Sequence, residues 1–322
     1  MKKLTNRHLQ MLLGSVWLLD GLLQLQHFMF THSFITQVID PVAQGQPNFV
    51  ASSIRWASSL IGSHIAEWNL LFATMQLAIG AGMFHRKTLK LALSISIIWS
   101  LMVWWFAEGF GGILTGSATP LTGAPGAVII YTLIAVLVWP DTKMPILPSQ
   151  DVPTFELGAT FEGGSRIAER VFLGAIMWAL LWLTNTVLLL LPGNTSKNSI
   201  ASAFTSAQSG QPGWLRAIQQ PIINISRGRG IEIAVVLSAI QLLIASGVFI
   251  GRHRSLFLVL GSVIALFYWV FGQSFGGILT GTATDPNTGP LIVLLALAAG
   301  LELPSISILR SKTRKFTRFS LP

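Results

Sequence analysis

Long apolar stretches separated by short polar segments dominate the chain. They predict helices at about 9–31, 63–85, 88–108, 125–140, 168–192, 230–250, 255–274 and 289–308. Several of these stretches approach or exceed the roughly 20 residues that a helix needs to cross a bilayer. The pattern therefore predicts an all-α, polytopic membrane protein with eight transmembrane helices.

One heptapeptide occurs twice in the chain. Residues 110–116, Phe-Gly-Gly-Ile-Leu-Thr-Gly, recur as residues 275–281, an offset of 165 in a chain of 322 residues. An internal repeat of this kind indicates one structural unit built twice. The same offset pairs Glu67 with Glu232, Gln76 with Gln241, Gly82 with Gly247, Trp104 with Trp269 and Phe106 with Phe271.

The repeat divides the eight predicted helices into two groups of four. Residues 1–140 form an N-terminal four-helix repeat, and residues 167–322 form a C-terminal four-helix repeat that ends in a basic tail. The segment 141–166 between them is rich in proline and polar residues and carries no long apolar run, which is typical of a linker.

The composition excludes most soluble classes. Hydrophobic residues make up 52% of the chain and charged residues 10%, whereas soluble domains carry about 25% charged residues. The net charge of +9 comes from short loops and tails, so it does not indicate nucleic-acid binding. There is no cysteine, which excludes disulfides and thiol chemistry by the chain itself.

The distribution of basic residues predicts the orientation in the plasma membrane. With eight spans, 16 of the 21 Lys and Arg residues fall on one side, which the positive-inside rule assigns to the cytoplasm together with both termini. The linker and the basic tail lie on that side, the N-terminal apolar run is a retained helix, and the two repeats share one orientation. The 16 residues are Lys2, Lys3, Arg7, Arg86, Lys87, Lys90, Lys143, Arg166, Arg170, Arg252, Arg254, Arg310, Lys312, Arg314, Lys315 and Arg318.

Each repeat has two extracytoplasmic segments in this arrangement. The first, at about 32–62 and 193–229, holds an amphipathic stretch that suits a short helix on the membrane surface. The second is the repeated heptapeptide, whose glycines permit unusual backbone geometry. Two interpretations of the heptapeptide stay open: a tight packing turn, or a loop that frames a ligand pocket.

Polar residues gather at the extracytoplasmic side of the first repeat. Asp20, Gln24 and His27 follow a spacing that puts them on one helical face. Ionisable groups inside a membrane are costly and are functional candidates by default. We expect one pocket that opens outward, with Asp20, His27 and Glu108 as catalytic residues. The predicted ligand-binding residues are Gln24, His64, Glu67, Gln76, Trp104, Trp105 and Phe106.

The second repeat keeps only part of this set. Glu67 and Gln76 have counterparts in Glu232 and Gln241, so we expect these four to join helices through hydrogen bonds. Asp20, Gln24 and His27 have none, and Glu108 aligns with Gln273. Residues that only one copy carries are the better candidates for chemistry. For His27, His32 and His64 the alternative is that they are ordinary interfacial histidines.

The helix order and its glycines resemble a known family. Each half opens on Leu-Gly at 13–14 or 173–174 and continues to a second helix with an acidic residue near its outer end. That helix finishes in a Gly-rich turn and basic residues, 78–87 and 245–252. This pattern resembles the DoxX/DoxD-like four-helix membrane family. The resemblance implies a four-helix bundle per half, a link to thiosulfate:quinone oxidoreduction and to membrane complexes for thiol or oxidative stress, and a role for Glu67 and Glu232.

Several chemistries fit the polar cluster. A histidine and a carboxylate can bind the two oxygens of a quinone and pass protons. His27, His64 and Glu67 are weak candidates for metal ligands, and the two histidines for haem. We expect a membrane component of a redox system, with or without catalytic activity of its own, and with other membrane or extracytoplasmic redox subunits as partners. The alternatives are an accessory subunit, docked through small residues such as Gly80 and Gly82, or a small-solute or proton transporter.

Overall fold

All regular structure in the described part of the chain is helical. The computed structural model describes residues 4–140 and 162–300, and this part has no strand. The all-α prediction is confirmed for these residues. The helices of eight or more residues are α1 Asn6–Leu23, α2 Asn48–Ser63, α3 Ile65–Phe84, α4 Leu89–Phe106, α5 Ala127–Leu137, α6 Glu162–Leu189, α7 Ser199–Ser206, α8 Gly213–Ser226, α9 Gly230–Gly247, α10 Arg254–Phe271 and α11 Thr288–Ala298.

Four helical segments in residues 4–140 and 162–300 are long and apolar enough to cross a membrane. They are α4, the part of α6 at Glu169–Leu189, α9, and the segment Gly251–Thr280 that contains α10. These segments support a membrane location. The other predicted spans are different: α1 and α3 have 18 and 20 residues but more polar character, whereas α5 and α11 have 11 residues each. An 11-residue helix rises only about 16 Å. Residues 141–161 of the predicted linker and the basic tail lie outside the described residues. Residues 162–166, also predicted as linker, instead form the start of α6.

Helix α1 ends at Leu23 and not near residue 31. The side chain of Asn69 on α3 exchanges hydrogen bonds with Gln24: its Nδ2 donates to the Gln24 backbone carbonyl at 2.9 Å, and its Oδ1 accepts from Gln24 Nε2. The Gln24 carbonyl is therefore already occupied where the helix would continue. Gln26 is extended, and short helical turns carry the chain from His27 to Ala43.

The helices pack in the same order in both halves of the chain. Helix α1 packs on α3, α3 on α4, and α4 on α5; likewise α6 packs on α9, α9 on α10, and α10 on α11. The halves meet where α11 contacts α1 and α5, and where α5 contacts α6. One continuous apolar core, which includes Trp17, Tyr131, Trp178 and Trp182, runs through both halves.

The two heptapeptides fold alike as tight packing turns. Phe110 and Phe275 both have a φ of 57°, and the glycine pair that follows each of them is also left-handed. A Cβ at Gly111 would overlap the Pro125 carbonyl. In each half an indole bonds to the loop that follows the turn, since Trp104 Nε1 donates to Pro125 O and Trp269 Nε1 donates to Pro286 O, both at 2.7 Å. Both copies are thus tight turns, and Gly111 of the first copy also lines a cavity, so the pocket interpretation stays open for that copy.

The loops after the heptapeptides cross between the halves. The first, residues 117–126, has ten residues and the second, residues 282–287, has six. Leu121 of the longer loop is fully buried in the core of the second half, beside Tyr268 and Phe204. The shorter loop lies against the first half, where a Cβ at Gly123 would overlap the side chain of Asn287.

We expect Leu121→Ala to destabilise the protein by about 2–5 kcal/mol, because it removes a fully buried side chain and leaves a cavity between the halves. The thermal unfolding midpoint of the detergent-solubilised protein measures this loss. Leu114→Ala is the matched control, since Leu114 is exposed in the neighbouring turn. Equal midpoints for the two variants would show that the crossed loop contributes nothing to stability.

Candidate functional site

A cavity of about 890 Å³ lies within the first half of the chain, between α1, α2, α3 and α4. The crossed loops close one end of it. Its walls are mainly apolar and include seven aromatic residues, and a smaller polar patch is formed by residues of both halves. The aromatic wall residues are Trp17, Phe34, Trp56, Trp68, Phe72, Trp99 and Phe106. The polar patch includes Asp20, Gln24, Gln76, Glu108, Thr284, Asp285 and Asn287.

Asp20 is the most deeply buried acid in the lining. It lies on α1 near the end of the helix and is 3% exposed. Its Oδ2 accepts a hydrogen bond from the Tyr131 hydroxyl at 2.5 Å, whereas its Oδ1 has no partner. Tyr131 is held by Trp17, with the two ring centroids 4.6 Å apart. One carboxyl oxygen of Asp20 is thus fixed by the core, and the other remains available to a ligand.

Glu108 follows the end of α4, and its side chain reaches the first turn of α5. Its Oε1 accepts from the Val128 amide at 3.5 Å, in the first turn of α5, and its buried Oε2 has no partner. Burial, and then the charge of Asp285, raise the pKa of the Glu108 carboxyl from 4.5 to about 8. Glu108 follows the last residue of α4 by two positions, so it lies outside the candidate spanning segment.

Asp285 reaches the cavity from the second half. Its Oδ1 accepts from the Asn287 amide and its Oδ2 from the Thr284 hydroxyl, both at 2.7 Å. Burial raises the pKa of the Asp285 carboxyl, and the two hydrogen bonds oppose that rise. Three carboxyl groups, from α1, from the end of α4 and from the shorter crossed loop, therefore line one cavity.

Two further polar groups in the lining lack partners. Gln76 Oε1 on α3 and Trp99 Nε1 on α4 are both buried without a hydrogen bond. Buried polar groups normally find a partner in the protein or in water. Together with Asp20 Oδ1 and Glu108 Oε2, they make four unsatisfied polar atoms on residues that line the same cavity. This arrangement suits a ligand that completes their hydrogen bonds.

The structure brings together half of the predicted site residues. Asp20, Gln24, Gln76, Phe106 and Glu108 all line the cavity. Two roles differ from those we expected. Gln76 does not join helices through its carbonyl oxygen, which is unpaired, whereas Gln24 bonds to Asn69 and helps to end α1. No observation tests whether any of these residues takes part in catalysis.

The other predicted site residues lie outside the cavity lining. His27 is exposed because α1 ends before it, so it does not continue the helical face of Asp20 and Gln24. His64 is exposed at the junction of α2 and α3. Glu67 is exposed in the first turn of α3, as Glu232 is in α9, and neither forms the expected bond between helices.

The two predicted tryptophans of α4 lie outside the cavity lining and bond to neighbouring segments. Trp104 bonds to the Pro125 carbonyl, and the Nε1 of Trp105, a half-exposed residue, donates to Ser53 Oγ on α2 at 2.9 Å.

For a metal, the part of the chain that the structure describes contains no group of three or more His, Cys, Asp or Glu side chains that could hold an ion. The proposed ligands His27, His64 and Glu67 form no such group.

Sequence reasoning missed Asp285 and Tyr131. Asp285 has no acidic counterpart in the first repeat. A constant offset of 165 pairs it with Pro120, and an alignment that allows for the four extra residues of the first loop pairs it with Ala124. An acid beside a repeated motif in a chain with 12 acidic residues was the available signal. Tyr131 is one of two tyrosines in the chain, but its bond to Asp20 depends on tertiary packing.

The corresponding groups of the second half are paired more fully at one of two positions. Gln273, at the position of Glu108, accepts from the Gly289 amide at 3.3 Å and donates to Thr288 Oγ1 at 2.8 Å. Gln241, at the position of Gln76, donates to the Tyr268 hydroxyl at 2.8 Å, but its Oε1 is buried without a partner, like that of Gln76. Leu121 fills the space nearby. The two halves thus share helix packing and differ in the chemistry of this region.

The mouth of the cavity is apolar. Trp56 and Leu60 of α2, Leu71 of α3 and Met102 of α4 belong to the lining, and their side chains are 40–61% exposed. No Lys, Arg or His occurs among the described lining residues. A mouth of this kind favours ligands that arrive with apolar surface.

A comparison with protein-family models found no match, and comparisons with curated proteins and with solved structures found none either.

We expect Glu108→Gln to flatten the pH dependence of stability. The carboxyl keeps its proton up to about pH 8 in the folded protein but loses it near pH 4.5 when unfolded. Its contribution therefore declines as the pH rises between these values and is constant above them. Thermal midpoints across this range should fall more steeply for the native chain than for Glu108→Gln.

Glu67→Gln is the control for this experiment, because Glu67 is an exposed glutamate outside the cavity. Gln273 already occupies the equivalent position of the second half, so the chain tolerates the amide at such a site. Parallel pH curves for the native protein and Glu108→Gln would contradict a raised pKa at Glu108.

Proposed function

We propose that this protein is an integral membrane component of a redox system and that its cavity binds a quinone or a similar amphipathic small ligand. The observation that carries the proposal is the combination of an exposed apolar mouth with an inner polar patch whose acceptors and donors are unsatisfied. A ligand with an apolar tail and a compact polar ring matches both parts. Such a ligand would enter sideways, between α2 and the exposed faces of α3 and α4.

The inner polar groups suit the chemistry of a quinone ring. At neutral pH the Glu108 carboxyl is mainly protonated, because its pKa is about 8. A neutral carboxylic acid donates a hydrogen bond to a carbonyl oxygen, and Trp99 Nε1 supplies a second unused donor. Quinone reduction takes up protons together with electrons. Glu108 and Asp20 are placed to hold protons beside the ring, with Tyr131 hydrogen-bonded to Asp20.

The topology that we propose has eight spans in two same-facing repeats with both termini cytoplasmic. The identical packing order of α1, α3, α4, α5 and of α6, α9, α10, α11 supports two equivalent units. Each short fourth helix follows a heptapeptide turn and a crossed loop, and the turn is only partly buried, which suits a position near the membrane surface where water reaches its backbone groups. The cavity would then open near the extracytoplasmic side, which the positive-inside rule assigns to the loops around it.

An accessory role is the alternative. One argument for it, that small residues on helix faces dock a partner protein, is weakened by the structure. Gly80 and Gly82 are used inside the chain: a Cβ at Gly80 would overlap Gly14 of α1, and one at Gly82 would press on Ala92 of α4. These glycines therefore explain close packing within the first half and need no partner protein. Redox subunits remain the partners that the proposed function implies.

We expect Ala57→Phe to block the cavity. Ala57 lines it from α2 and is 6% exposed, so a benzyl side chain would occupy the space behind the mouth. Quinones quench indole fluorescence, and four tryptophans line the cavity. Titration of the purified protein with a short-tailed benzoquinone should give saturable quenching in the native chain and at least a tenfold weaker apparent affinity in the variant, about 1.4 kcal/mol.

Ser52→Phe is the matched control, since Ser52 lies on the exposed face of the same helix. It should leave the quenching curve unchanged. Quenching that does not saturate in the native chain, or that is identical in all three proteins, would contradict a quinone site in the cavity.

We expect quinone affinity to fall as the pH rises above about 8, because Glu108 then loses the proton that it donates to the ligand. Glu108→Gln keeps an N–H donor at the same position and should lose most of this pH dependence. The same fluorescence titration, repeated from about pH 6 to pH 9, measures both curves. A pH-independent affinity in the native protein would argue against contact between Glu108 and the ring.

A further inference from the structure

We propose that the cavity also binds lipophilic organic cations, in which an ammonium or phosphonium centre is carried on an apolar body. The proposal goes beyond the redox role and rests on the cavity, not on quinone chemistry. The observation behind it is that three buried carboxyl groups converge there without a single basic residue in the described lining.

The three acids come from separate parts of the fold. Asp20 lies on α1, Glu108 beyond α4, and Asp285 in the loop that crosses from the second half. The negative charge of Asp285 disfavours a second negative charge on either of the other two carboxyls. The titratable groups facing this region are these three acids and Tyr131 of α5, whereas α2 and α3 contribute apolar side chains and Gln76.

Unpartnered atoms point to a ligand independently of the charge. Asp20 is 3% exposed and its Oδ1 has no hydrogen-bond partner, and Glu108 Oε2 is buried and unpaired as well. The remaining oxygens of both acids are already engaged, by Tyr131 and by the Val128 amide. Each acid thus keeps one oxygen free while the other fixes its position.

The walls suit a cation with an apolar body. Trp17, Trp56, Trp68 and Trp99 line the cavity. The face of an indole ring attracts a positive charge within about 6 Å of its centroid, and tryptophan does so best among the aromatic residues. The volume of about 890 Å³ is in the upper part of the range for small-molecule sites. A carboxylate patch surrounded by aromatic rings therefore recognises charge and apolar bulk together.

Binding of such a cation is coupled to proton release. In the empty cavity Glu108 is mainly protonated at neutral pH, since burial and the charge of Asp285 raise the pKa of its carboxyl to about 8. A positive centre beside a carboxyl favours its ionised form. The O–H bond of the acid then breaks, the proton passes to the solvent, and a carboxylate–cation pair replaces it. No oxidant or reductant takes part.

A pair of ions of equal shape tests the proposal. Tetraphenylphosphonium and tetraphenylborate have the same outline and opposite charge. Each is titrated into the purified full-length protein in weakly buffered detergent solution, with tryptophan fluorescence and released protons as the two readouts. The variant Ala57→Phe, whose cavity is blocked, gives the background from partition into the micelle.

We expect saturable binding of the phosphonium with release of protons, and binding that tightens as the pH rises. The borate should show only background. Asp285→Asn should weaken the phosphonium by on the order of tenfold, as expected for the loss of one neighbouring charge. Glu67→Gln, which changes an exposed acid outside the cavity, should match the native protein.

Equal binding of the two ions, or phosphonium binding without proton release, would overturn the proposal. An unchanged affinity in Asp285→Asn would do the same. If Asp285→Asn does not fold, Glu108→Gln provides the decisive measurement, because the second half carries glutamine at that position. Its phosphonium affinity should fall by a similar factor.

A benzoquinone titration of the same preparation separates the two proposals. Quinone affinity falls with rising pH whereas cation affinity increases, so the two ligands are distinguished by the sign of the pH effect. Quinone binding without phosphonium binding would overturn only the cation site. Phosphonium binding alone would overturn only the redox proposal, and the failure of both ligands would overturn both.

Discussion

The exchange of two loops between the halves determines the rest of this structure. Leu121 of the first loop is buried in the core of the second half, where the Gln273 amide also contacts the Pro120 carbonyl at 3.5 Å. In return, Asp285 and Asn287 of the second loop close the cavity of the first half. Because Thr284, Asp285 and Asn287 come from the second half, the polar patch of the cavity is complete only when both halves are folded together. The site is therefore a property of the whole chain.

A membrane protein with three acids in one apolar cavity has to keep them uncharged or paired. Here the fixed hydrogen bonds do only part of this. The Tyr131 hydroxyl and the Val128 amide each satisfy one oxygen of a neighbouring acid, and the loop around Asp285 satisfies both of its oxygens. At Glu108 a pKa raised to about 8 keeps the carboxyl mainly protonated at neutral pH. Under the two proposals, the exchangeable proton of Glu108 makes the affinity for a quinone fall and the affinity for a cation rise as the pH increases.

Sequence patterns predicted the helical class, because hydrophobic length and residue identity carry that information directly. Five of the ten predicted site residues line one cavity. The patterns placed α3 and α4 to within two residues of the observed ends. They failed where tertiary contacts decide. The bond between Asn69 and Gln24 ends α1 early and removes His27 from the site, and the loop crossing that brings Asp285 into the first half leaves no periodic signal.

The unequal lengths of the two crossed loops have a consequence for how such an architecture can arise. In a dimer of identical units both loops would be the same. Both units would then bury a leucine such as Leu121 in their neighbour, or neither would. Covalent fusion lets one loop lengthen and fill its neighbour while the other stays short and delivers an acid. One half can then become a purely structural unit, and the other can diverge in the residues that line its cavity.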